Sequence, residues 1–393
     1  MTTDSNSEVY IVSSVRTAIG SFGKTLAGFT APELGSFAIK AALEKINLNS
    51  NLVEEVFFGN VLSAGVGQNP ARQAALLAGL PNSVPCTTIN KVCASGMKAT
   101  IFGAQSILLG NADLVVVGGM ESMSNTPYYL PKQRFGTKFG NQEILDGIVK
   151  DGLWDFENKC LMGDAADSTA KELSITREEQ DSFAIESYKR AQLNTKNSHF
   201  KKEICDIVIK SRSGETVFNE DEECWGLNEE KMKTLKPAFS KEGTVTAANA
   251  SNLNDGASCL ILCSSRKLKE LKLTPLAKIT GWGDAAREPA RFTLAPSLAI
   301  PKALKKANIQ LEDVDFYEIN EAFSAVALGN MKLLSIPPEK LNVFGGGVSL
   351  GHPLGSSGSR IIVTLLNVLR TNGGKVGCAS VCNGGGGASA ITV

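Results

Sequence analysis

The sequence predicts an α/β protein made of two similar halves with a long insertion between them. Three observations support this prediction. Short β-rich runs alternate with helical spacing, the two ends of the chain repeat one another, and the middle is polar and rich in loops. Strands that alternate with helices are typical of a largely parallel, buried sheet covered by helices. We therefore expect such a sheet in each half.

The predicted elements follow one another in a regular order. Helical spacing is present at Pro32–Ile46, Met97–Leu109 and Thr176–Gln192. The β-rich runs, which match the short buried strands of α/β proteins, are VYIVSSV from Val9, VEEVFFGNV from Val53, ADLVVVGG from Ala112, ASCLILCS from Ala257, LAKITGW from Leu276, VDFYEIN from Val314 and GKVGCASVC from Gly374.

The two ends of the chain correspond at a nearly constant shift. AP-E-L, IKAALEKINL and VEEVFFGN near the start match AP-S-L, IPKALKKANI and LEDVDFYEIN near the end. The corresponding pairs, at offsets of 264, 260 and 262 residues, are Pro32 with Pro296, Asn60 with Asn320, and Gly96 with Gly358. We interpret this as internal duplication; the alternative is two unrelated halves with similar patterns. The predicted division is an N-terminal half at 1–120, completed by about 250–275, an inserted loop domain at 121–249, and a C-terminal half at 276–393.

Composition excludes several functions. The 393 residues hold 40 basic and 40 acidic side chains, a balance that argues against nucleic acid or an anionic membrane as the main partner. Nine cysteines without CxxC spacing make a structural zinc site unfavourable. Neither a long apolar run nor a recognisable targeting segment is present, so we expect a cytoplasmic protein with free thiols. The many charges of the insertion fit a solvated surface.

Cys93, in NKVCASGMKA, is the first candidate for chemistry. It follows a short β-like run and precedes a helical run that has Ser95 and Gly96 in its first turn. A thiol at a helix N-terminus lies at the positive end of the helix dipole, which favours the thiolate and lowers the pKa. The alternative is a buried, inert cysteine.

His352 lies in NVFGGGVSLGHPLGSSG, where closely spaced glycines indicate special backbone torsions or the close approach of a ligand. A histidine in such a loop can act as general base for a thiol. The only other histidine, His199, lies in a polar stretch and is interpreted as a surface residue. His352 is therefore the one strong candidate for a base, unless the loop is merely structural.

Two further segments are weaker candidates on their own. Cys382 precedes the glycine run that begins at Gly384, and the N–H groups of such a run can form an oxyanion hole. Asn320, in EINEAFSAV, ends a predicted strand, where open α/β sheets place ligand-binding groups. Taken alone, neither segment decides whether its residue has a catalytic or a merely structural role.

In combination the four segments resemble the signatures of the thiolase superfamily. NKVCASGMKA, NEAF, GGGVSLGHPLGSSG and CNGGGG occur in the family's order and spacing, and the likeness runs from Val15 to the C-terminus. It implies two α/β halves in a layered α-β-α-β-α arrangement with an inserted loop domain. DGLWD and GTVTAANASNLNDGA favour the short-chain biosynthetic branch. That branch implies acetyl-CoA C-acetyltransferase activity: the reversible, ping-pong Claisen condensation of two acetyl-CoA to acetoacetyl-CoA and CoA.

The resemblance implies a role for each catalytic residue. Cys93 accepts the acyl group and His352 takes its proton, whereas Cys382 exchanges protons with the α-carbon of the second acetyl-CoA. Asn320, through a water, and His352 form one oxyanion hole, and the N–H groups of Cys93 and Gly384 form another.

The resemblance also implies ligands and assembly. No cofactor is required, coenzyme A thioesters are the substrates, and a homotetramer is expected, with SNTPYYLPKQRFGTKFG as the tetramerising segment. Substrate contacts are expected from Ser251, Phe292, Met162, Lys231 and Phe323. Some members bind potassium; the corresponding residues here are Tyr188, Ala247, Ala248, Ala250 and Val348.

The chain departs from its branch in two places. Leu161 stands where many short-chain members have histidine, and the usual arginine near Cys224 is missing, which leaves Trp225 to stack on adenine or lysines to meet the phosphates. Three alternatives stay open at this point. They are a degradative thiolase for longer chains, a decarboxylating condensing enzyme (disfavoured because it needs two histidines), and a scaffold protein without activity.

Overall fold

The computed structural model describes residues 8–212 and 214–393. Its main helices, with bounds, are α1 Ala31–Glu44, α2 Pro70–Leu77, α3 Ser95–Leu108, α4 Met162–Glu172, α5 Arg177–Lys196, α6 Glu229–Thr234, α7 Ser265–Glu270, α8 Pro296–Ala307, α9 Ser324–Leu334, α10 Gly347–Leu350 and α11 Leu354–Asn372. Its strands are β1 Val9–Thr17, β2 Gly20–Ser21, β3 Glu55–Gly59, β4 Cys86–Ile89, β5 Leu114–Ser122, β6 Tyr128–Tyr129, β7 Leu145–Asp146, β8 Trp154–Asp155, β9 Cys160–Leu161, β10 Ile204–Cys205, β11 Ile207–Ser211, β12 Gly214–Phe218, β13 Asn254–Ser264, β14 Ala277–Ile279, β15 Gly281–Ala286, β16 Phe316–Ile319, β17 Gly377–Asn383 and β18 Gly387–Thr392.

Every β-rich run and helical segment predicted from the sequence forms an element of the expected type. Helix α1 begins where Thr30 accepts a hydrogen bond from the Glu33 N–H while the Glu33 side chain accepts one from the Thr30 N–H, a reciprocal capping box. Thr176 and Glu179 form the same arrangement at the start of α5. Local capping therefore fixes the start of a helix in the first half and of a helix in the insertion.

The larger sheet has the strand order β10-β1-β13-β5-β3-β4, and β14 and β2 pair beside this path. The expectation of a largely parallel sheet is wrong. Strand β13 runs antiparallel to both of its neighbours, β1 and β5, whereas β3 is parallel to β4 and β5. The physical reason is that β13 follows the insertion and not a crossover helix, so the connection does not force it to run parallel to its neighbours.

The smaller sheet has the order β15-β18-β17-β16, and it too is mixed. Strands β17 and β18 form an antiparallel hairpin in which Cys382 pairs with Ala388. Gly385 and Gly386 turn this hairpin with φ angles of 83° and 90°, which other L residues rarely adopt. The end of the hairpin is fixed to the segment after β15, because the Gly386 carbonyl accepts a hydrogen bond from the Arg287 N–H at 3.0 Å.

Five layers result, and the expected α-β-α-β-α arrangement is confirmed. Helices α1 and α2 cover the outer face of the larger sheet, α3 and α11 lie between the sheets, and α8 covers the outer face of the smaller sheet. In the middle layer, a Cβ on Gly96 would lie 2.4 Å from Ser359 Oγ, and one on Gly358 would lie 2.5 Å from the Met97 nitrogen. The two helices that correspond in the repeat thus cross through paired glycines.

The insertion supplies the hairpins β6/β7, β8/β9 and β11/β12 and helices α4, α5 and α6. Its segment around Phe135 and Phe139 exposes both aromatic rings almost completely. In the part of the chain that the structure describes, no helix combines the length and apolarity needed to cross a membrane.

Candidate active site

A largely apolar cavity of about 240 Å³ opens between the two halves and the insertion. It brings together most of the side chains that the sequence singled out. Cys93, His352 and Gly384 form its polar end. The remaining lining residues are Met123, Val149, Gly152, Leu153, Leu161, Met162, Gly163, Phe239, Ala250, Ser251, Asn252, Leu253, Phe292, Ala322, Phe323 and Leu354.

Cys93 lies on a tight turn between β4 and α3. Val92, immediately before it, has a φ of 47°, an unusual value for a β-branched residue and a source of backbone strain. The turn is fixed by Ser95, whose Oγ accepts the Lys91 N–H at 2.8 Å and donates to the Val92 carbonyl at 2.6 Å. The thiol is therefore held rigidly at the cavity end.

The expected lowering of the Cys93 pKa is wrong for the free protein. Burial raises the pKa of the thiol to about 12, although the N–H groups of Gly384 and Cys93 itself counteract the shift. Desolvation outweighs the helix terminus because Cys93 is only 7% exposed and no cation of the described residues contributes to stabilising a thiolate. The thiol of the free protein is therefore neutral, and a base would have to remove its proton before the sulfur could act as a nucleophile.

His352 has the protonation state and hydrogen bonds that such a base would need. Burial, with a smaller effect from the charge of Arg360, lowers its pKa to about 3, so the ring is neutral. Its Nδ1 lies 2.5 Å from Ser357 Oγ, and the Ser357 hydroxyl donates a hydrogen bond to the Pro353 carbonyl at 2.9 Å. Ser357 can therefore only accept from Nδ1–H, which leaves Nε2 as the bare, basic nitrogen.

Asn320 lies behind His352 at the end of β16. Its Nδ2 is 3.5 Å from both ring nitrogens, and its buried Oδ1 has no hydrogen-bond partner among the described residues. A buried, unpaired amide oxygen of this kind suits an ordered water. The geometry is compatible with the water that the family resemblance implies.

Cys382 is fully buried in β17 and is absent from the cavity lining. Burial raises its pKa well above the usual range, and the nearby Cys93 raises it further. The two thiols are therefore neighbours with different access, since one faces the cavity and the other lies in a regular strand.

The apolar wall places four of the five expected substrate contacts in the cavity. Met162 begins α4, and Phe292 is 2% exposed. Phe323 packs edge-on against Phe239 with ring centroids 6.2 Å apart. Ser251 donates its hydroxyl to the Ala322 carbonyl at 2.9 Å, so its free lone pairs can accept a hydrogen bond.

Lys231, the fifth expected contact, lies elsewhere. It lines a separate cavity of about 220 Å³ together with Tyr188, Ala247 and Ala248. Asn252 lines both cavities and so marks where they adjoin. The structure therefore brings Lys231 to a neighbouring cavity and not to the polar end with Cys93.

Three of the residues expected to hold potassium, Tyr188, Ala247 and Ala248, line one cavity. Val348 packs in one cluster with Tyr188 and Ala248, and Ala250 lies close along the same loop, bridged to Phe323. Burial raises the pKa of Tyr188 to about 12, and the carboxylates of Glu223 and Glu321 add to the shift. Neutral phenol and carbonyl oxygens in an electronegative setting are donors that potassium accepts.

The second departure noted in the sequence can now be located. Trp225 is 44% exposed, donates Nε1–H to Glu220 at 2.8 Å and has Lys196 over its ring at 5.7 Å. Leu161, the first departure, lines the catalytic cavity. The Trp225 ring is accessible to solvent, and Leu161 makes the cavity lining more apolar than a histidine at this position would.

Sequence reasoning missed several residues around the site. Ser357 and Asn254 hold the ring and the backbone of His352, the latter by accepting its N–H at 2.9 Å. Ser357 could have been suspected from its place one turn into the helix that follows the histidine. Phe239 and Leu153 gave no signal, because apolar residues in an irregular insertion have no periodicity to interpret.

The class of protein follows from comparisons with known families. Residues 9–266 match the family model described as "Thiolase, N-terminal domain", and residues 273–393 match "Thiolase, C-terminal domain". These matches cover almost the whole chain, so the chain belongs to the thiolase family.

Curated relatives narrow the likeness further. The chain is 59% identical to an acetyl-CoA acetyltransferase of Schizosaccharomyces pombe, covering 99% of each chain. It is 56% identical to a cytosolic acetyl-CoA acetyltransferase of Gibberella zeae, covering 98% of each. Among solved structures, the Acat5 thiolase of Ascaris suum in complex with coenzyme A has a TM-score of 0.93 at 45% identity, covering 98% of this chain and 99% of that one.

Proposed function

We propose that the protein is an acetyl-CoA C-acetyltransferase that condenses two acetyl-CoA to acetoacetyl-CoA and CoA, reversibly, through an acetyl group on Cys93. The observation that supports this most directly is the convergence of the Cys93 thiol, the neutral His352 ring and the Gly384 backbone on one apolar cavity. The identity to acetyl-CoA acetyltransferases over the full chain supports the same activity.

In the first half-reaction, Nε2 of His352 takes the Cys93 proton as the sulfur attacks the thioester carbonyl. The N–H groups of Gly384 and Cys93, which already act on the thiol, would stabilise the oxyanion. The C–S bond to coenzyme A then breaks, and the leaving thiolate receives the proton from His352. Because burial keeps His352 neutral, the base is available across the physiological pH range.

In the second half-reaction, the Cys382 thiol gives its own proton to the neutral His352 ring and then, as a thiolate, takes a proton from the methyl carbon of a second acetyl-CoA. His352 and a water on Asn320 would hold the enolate oxygen, a place that the unpaired Asn320 Oδ1 supports. The enolate carbon attacks the acetyl carbonyl on Cys93, the C–S bond breaks, and Cys93 leaves as thiolate. The proton on His352 then restores the Cys93 thiol, and Cys382 keeps the proton that it took from carbon, so both thiols and the neutral ring return to their starting state.

The cavity supports a short acyl chain. Phe292, Phe323 and Met162 close its acyl side, and Ser251 offers an acceptor to the pantetheine amide. We place coenzyme A's nucleotide outward toward Lys231 and Trp225, whose ring is accessible for stacking. Rates measured with ketoacyl-CoA substrates of increasing length should be greatest for acetoacetyl-CoA; a maximum with long chains would favour a degradative thiolase.

Mass spectrometry tests the proposal itself. After the protein is mixed with acetyl-CoA, proteolysis and peptide mapping should find a single acetyl group on Cys93. An acetyl group on a different residue, or none, would overturn the assignment. The Ser replacement of Cys93 serves as control, because an oxygen at this position lacks the nucleophilicity of sulfur.

Potassium, assembly and location complete the proposal. Tyr188 and the carbonyls of Ala247, Ala248, Ala250 and Val348 would hold potassium, which would stiffen the loop behind Ser251. Replacing potassium by sodium would then weaken substrate binding.

The exposed aromatic segment around Phe135 and Phe139 suits assembly into a homotetramer. The relative named cytosolic supports a cytoplasmic location, and the division into two repeated halves with an insertion at 121–249 is part of the same proposal.

A further inference from the structure

Glu121 is a fully buried carboxylate that the proposed chemistry does not use. It lies near the end of β5 and is 0% exposed. It accepts four hydrogen bonds. Oε1 accepts from Asn60 Nδ2 at 2.7 Å and from the Leu62 N–H at 3.1 Å, and Oε2 accepts from the Val61 N–H at 3.0 Å and from the Gly355 N–H at 2.8 Å.

These four donors come from both halves of the protein. Asn60, Val61 and Leu62 form the loop after β3, whereas Gly355 lies in the first turn of α11. One side chain therefore joins a loop of the first half to the start of a helix of the second half. Burying a carboxylate is costly, and here the charged neighbour Asp255 adds to that cost. An apolar side chain could fill the same space without this cost, so a role beyond packing is indicated for the carboxylate.

The two segments that Glu121 joins pack directly against the residues at the polar end of the cavity. His352 lies three residues before Gly355, and Leu354 between them lines the cavity. Val61 and Leu62 pack in the same apolar cluster as Cys93 and Leu354. A Cβ on Gly355 would lie only 2.4 Å from the Met120 carbonyl, so α11 starts directly against β5. A small displacement at Gly355 would thus move His352 relative to Cys93.

We propose that Glu121 is a positioning residue, which rests on the proposed function: its hydrogen bond to Gly355 holds the loop of His352 in register with the turn of Cys93. It acts on the chemistry only through the separation and orientation of these two side chains. Proton transfer from a thiol to an imidazole needs hydrogen-bond contact, so a loosened loop slows the first half-reaction even when acetyl-CoA still binds.

The test is the rate of Cys93 acetylation at saturating acetyl-CoA in Glu121→Gln. The amide keeps the shape of the carboxyl but presents N–H groups to the backbone donors. We expect acetylation at least about tenfold slower, with the acetyl-CoA concentration at half-maximal rate unchanged. The matched control is Asp315→Asn. The Asp315 carboxylate also accepts two backbone hydrogen bonds from another segment, from the Lys375 N–H at 2.7 Å and the Val376 N–H at 2.9 Å, and both donors lie just before β17, so the acetylation rate of this variant should stay near wild type.

A double-mutant cycle separates positioning from general damage. In a His352→Ala background, Glu121→Gln should cause no further slowing, because the residue it positions is gone. Equal slowing in both backgrounds, or a wild-type rate in Glu121→Gln, would overturn the inference. If the glutamine variant does not fold, Glu121→Asp replaces it, since the shorter side chain withdraws from Gly355. If wild-type Cys93 is not acetylated, the proposed function fails instead, so the two failures are distinguishable.

Discussion

The turn that carries Cys93 and the hairpin that carries Cys382 place the same functional group in two different settings. Both thiols are buried, and burial raises the pKa of each. Cys93 follows a strained Val92 and faces the cavity beside two N–H groups, whereas Cys382 lies in the regular pairing of β17 with β18. Burial alone therefore does not distinguish the proposed nucleophile from the proposed proton carrier. Access and backbone geometry distinguish them.

The largest expected effect comes from removing the accessible thiol. Cys93→Ser should lower the rate of acetoacetyl-CoA cleavage by CoA by at least about 10³-fold, because an alcohol with a far higher pKa replaces the nucleophile. Steady-state kinetics would measure this. Cys259→Ser, a change of another fully buried cysteine in the larger sheet, should retain most of the activity; equal losses in both variants would remove the distinction between the two settings.

The second effect concerns the hidden thiol. Cys382→Ser should slow condensation by about 10²-fold or more, because the hydroxyl is a poor base for a carbon acid. Cys378→Ser is a matched control, since Cys378 lies on the same face of β17 and is equally buried. Condensation is followed by the appearance of acetoacetyl-CoA. If the control loses as much activity as Cys382→Ser, Cys382 contributes only packing.

The third effect comes from the base that serves the first thiol. Ser357→Ala removes the group that receives Nδ1–H of His352, so the ring can adopt the wrong tautomer, and Cys93 acetylation should slow roughly tenfold. Ser356→Ala is the control, because Ser356 hydrogen-bonds to Ser258 instead. The two acetylation rates are compared by quenched-flow mass spectrometry. A rate in Ser357→Ala equal to that in Ser356→Ala would mean that the ring needs no partner.

The smallest effect is on stability. Burial lowers the pKa of His352 from 6.5 to about 3, so the unfolded chain binds a proton more readily than the folded protein between these pH values. The contribution of the neutral His352 ring to the free energy of unfolding is therefore fully present above pH 6.5. It decreases as the pH falls toward 3, by about 2 kcal/mol at pH 5. Urea unfolding of wild type and His352→Asn would measure it. In the variant, the free energy of unfolding should change less with pH between 6.5 and 3. The same pH dependence in both proteins would contradict a neutral, buried ring.

The sequence predicted the residues of the site better than it predicted the direction of the strands or the pKa of Cys93, and the reasons are physical. Cys93, His352 and Gly384 meet at one cavity, as expected, because their motifs fix local turns whose chemistry is visible in the residue types. The mixed direction of the larger sheet was not predictable, since strand direction depends on where the chain re-enters after the insertion. The pKa of Cys93 was predicted with the wrong sign, because desolvation is a property of the packed fold and not of the helix terminus.

Peptide mapping of Cys382→Ser after mixing with acetyl-CoA tests the distinction between the two thiols most directly. We predict one acetyl group on Cys93, formed at close to the wild-type rate, with no acetoacetyl-CoA released. A variant that fails to acetylate Cys93, or wild-type protein that carries the acetyl group on Cys382, would contradict it.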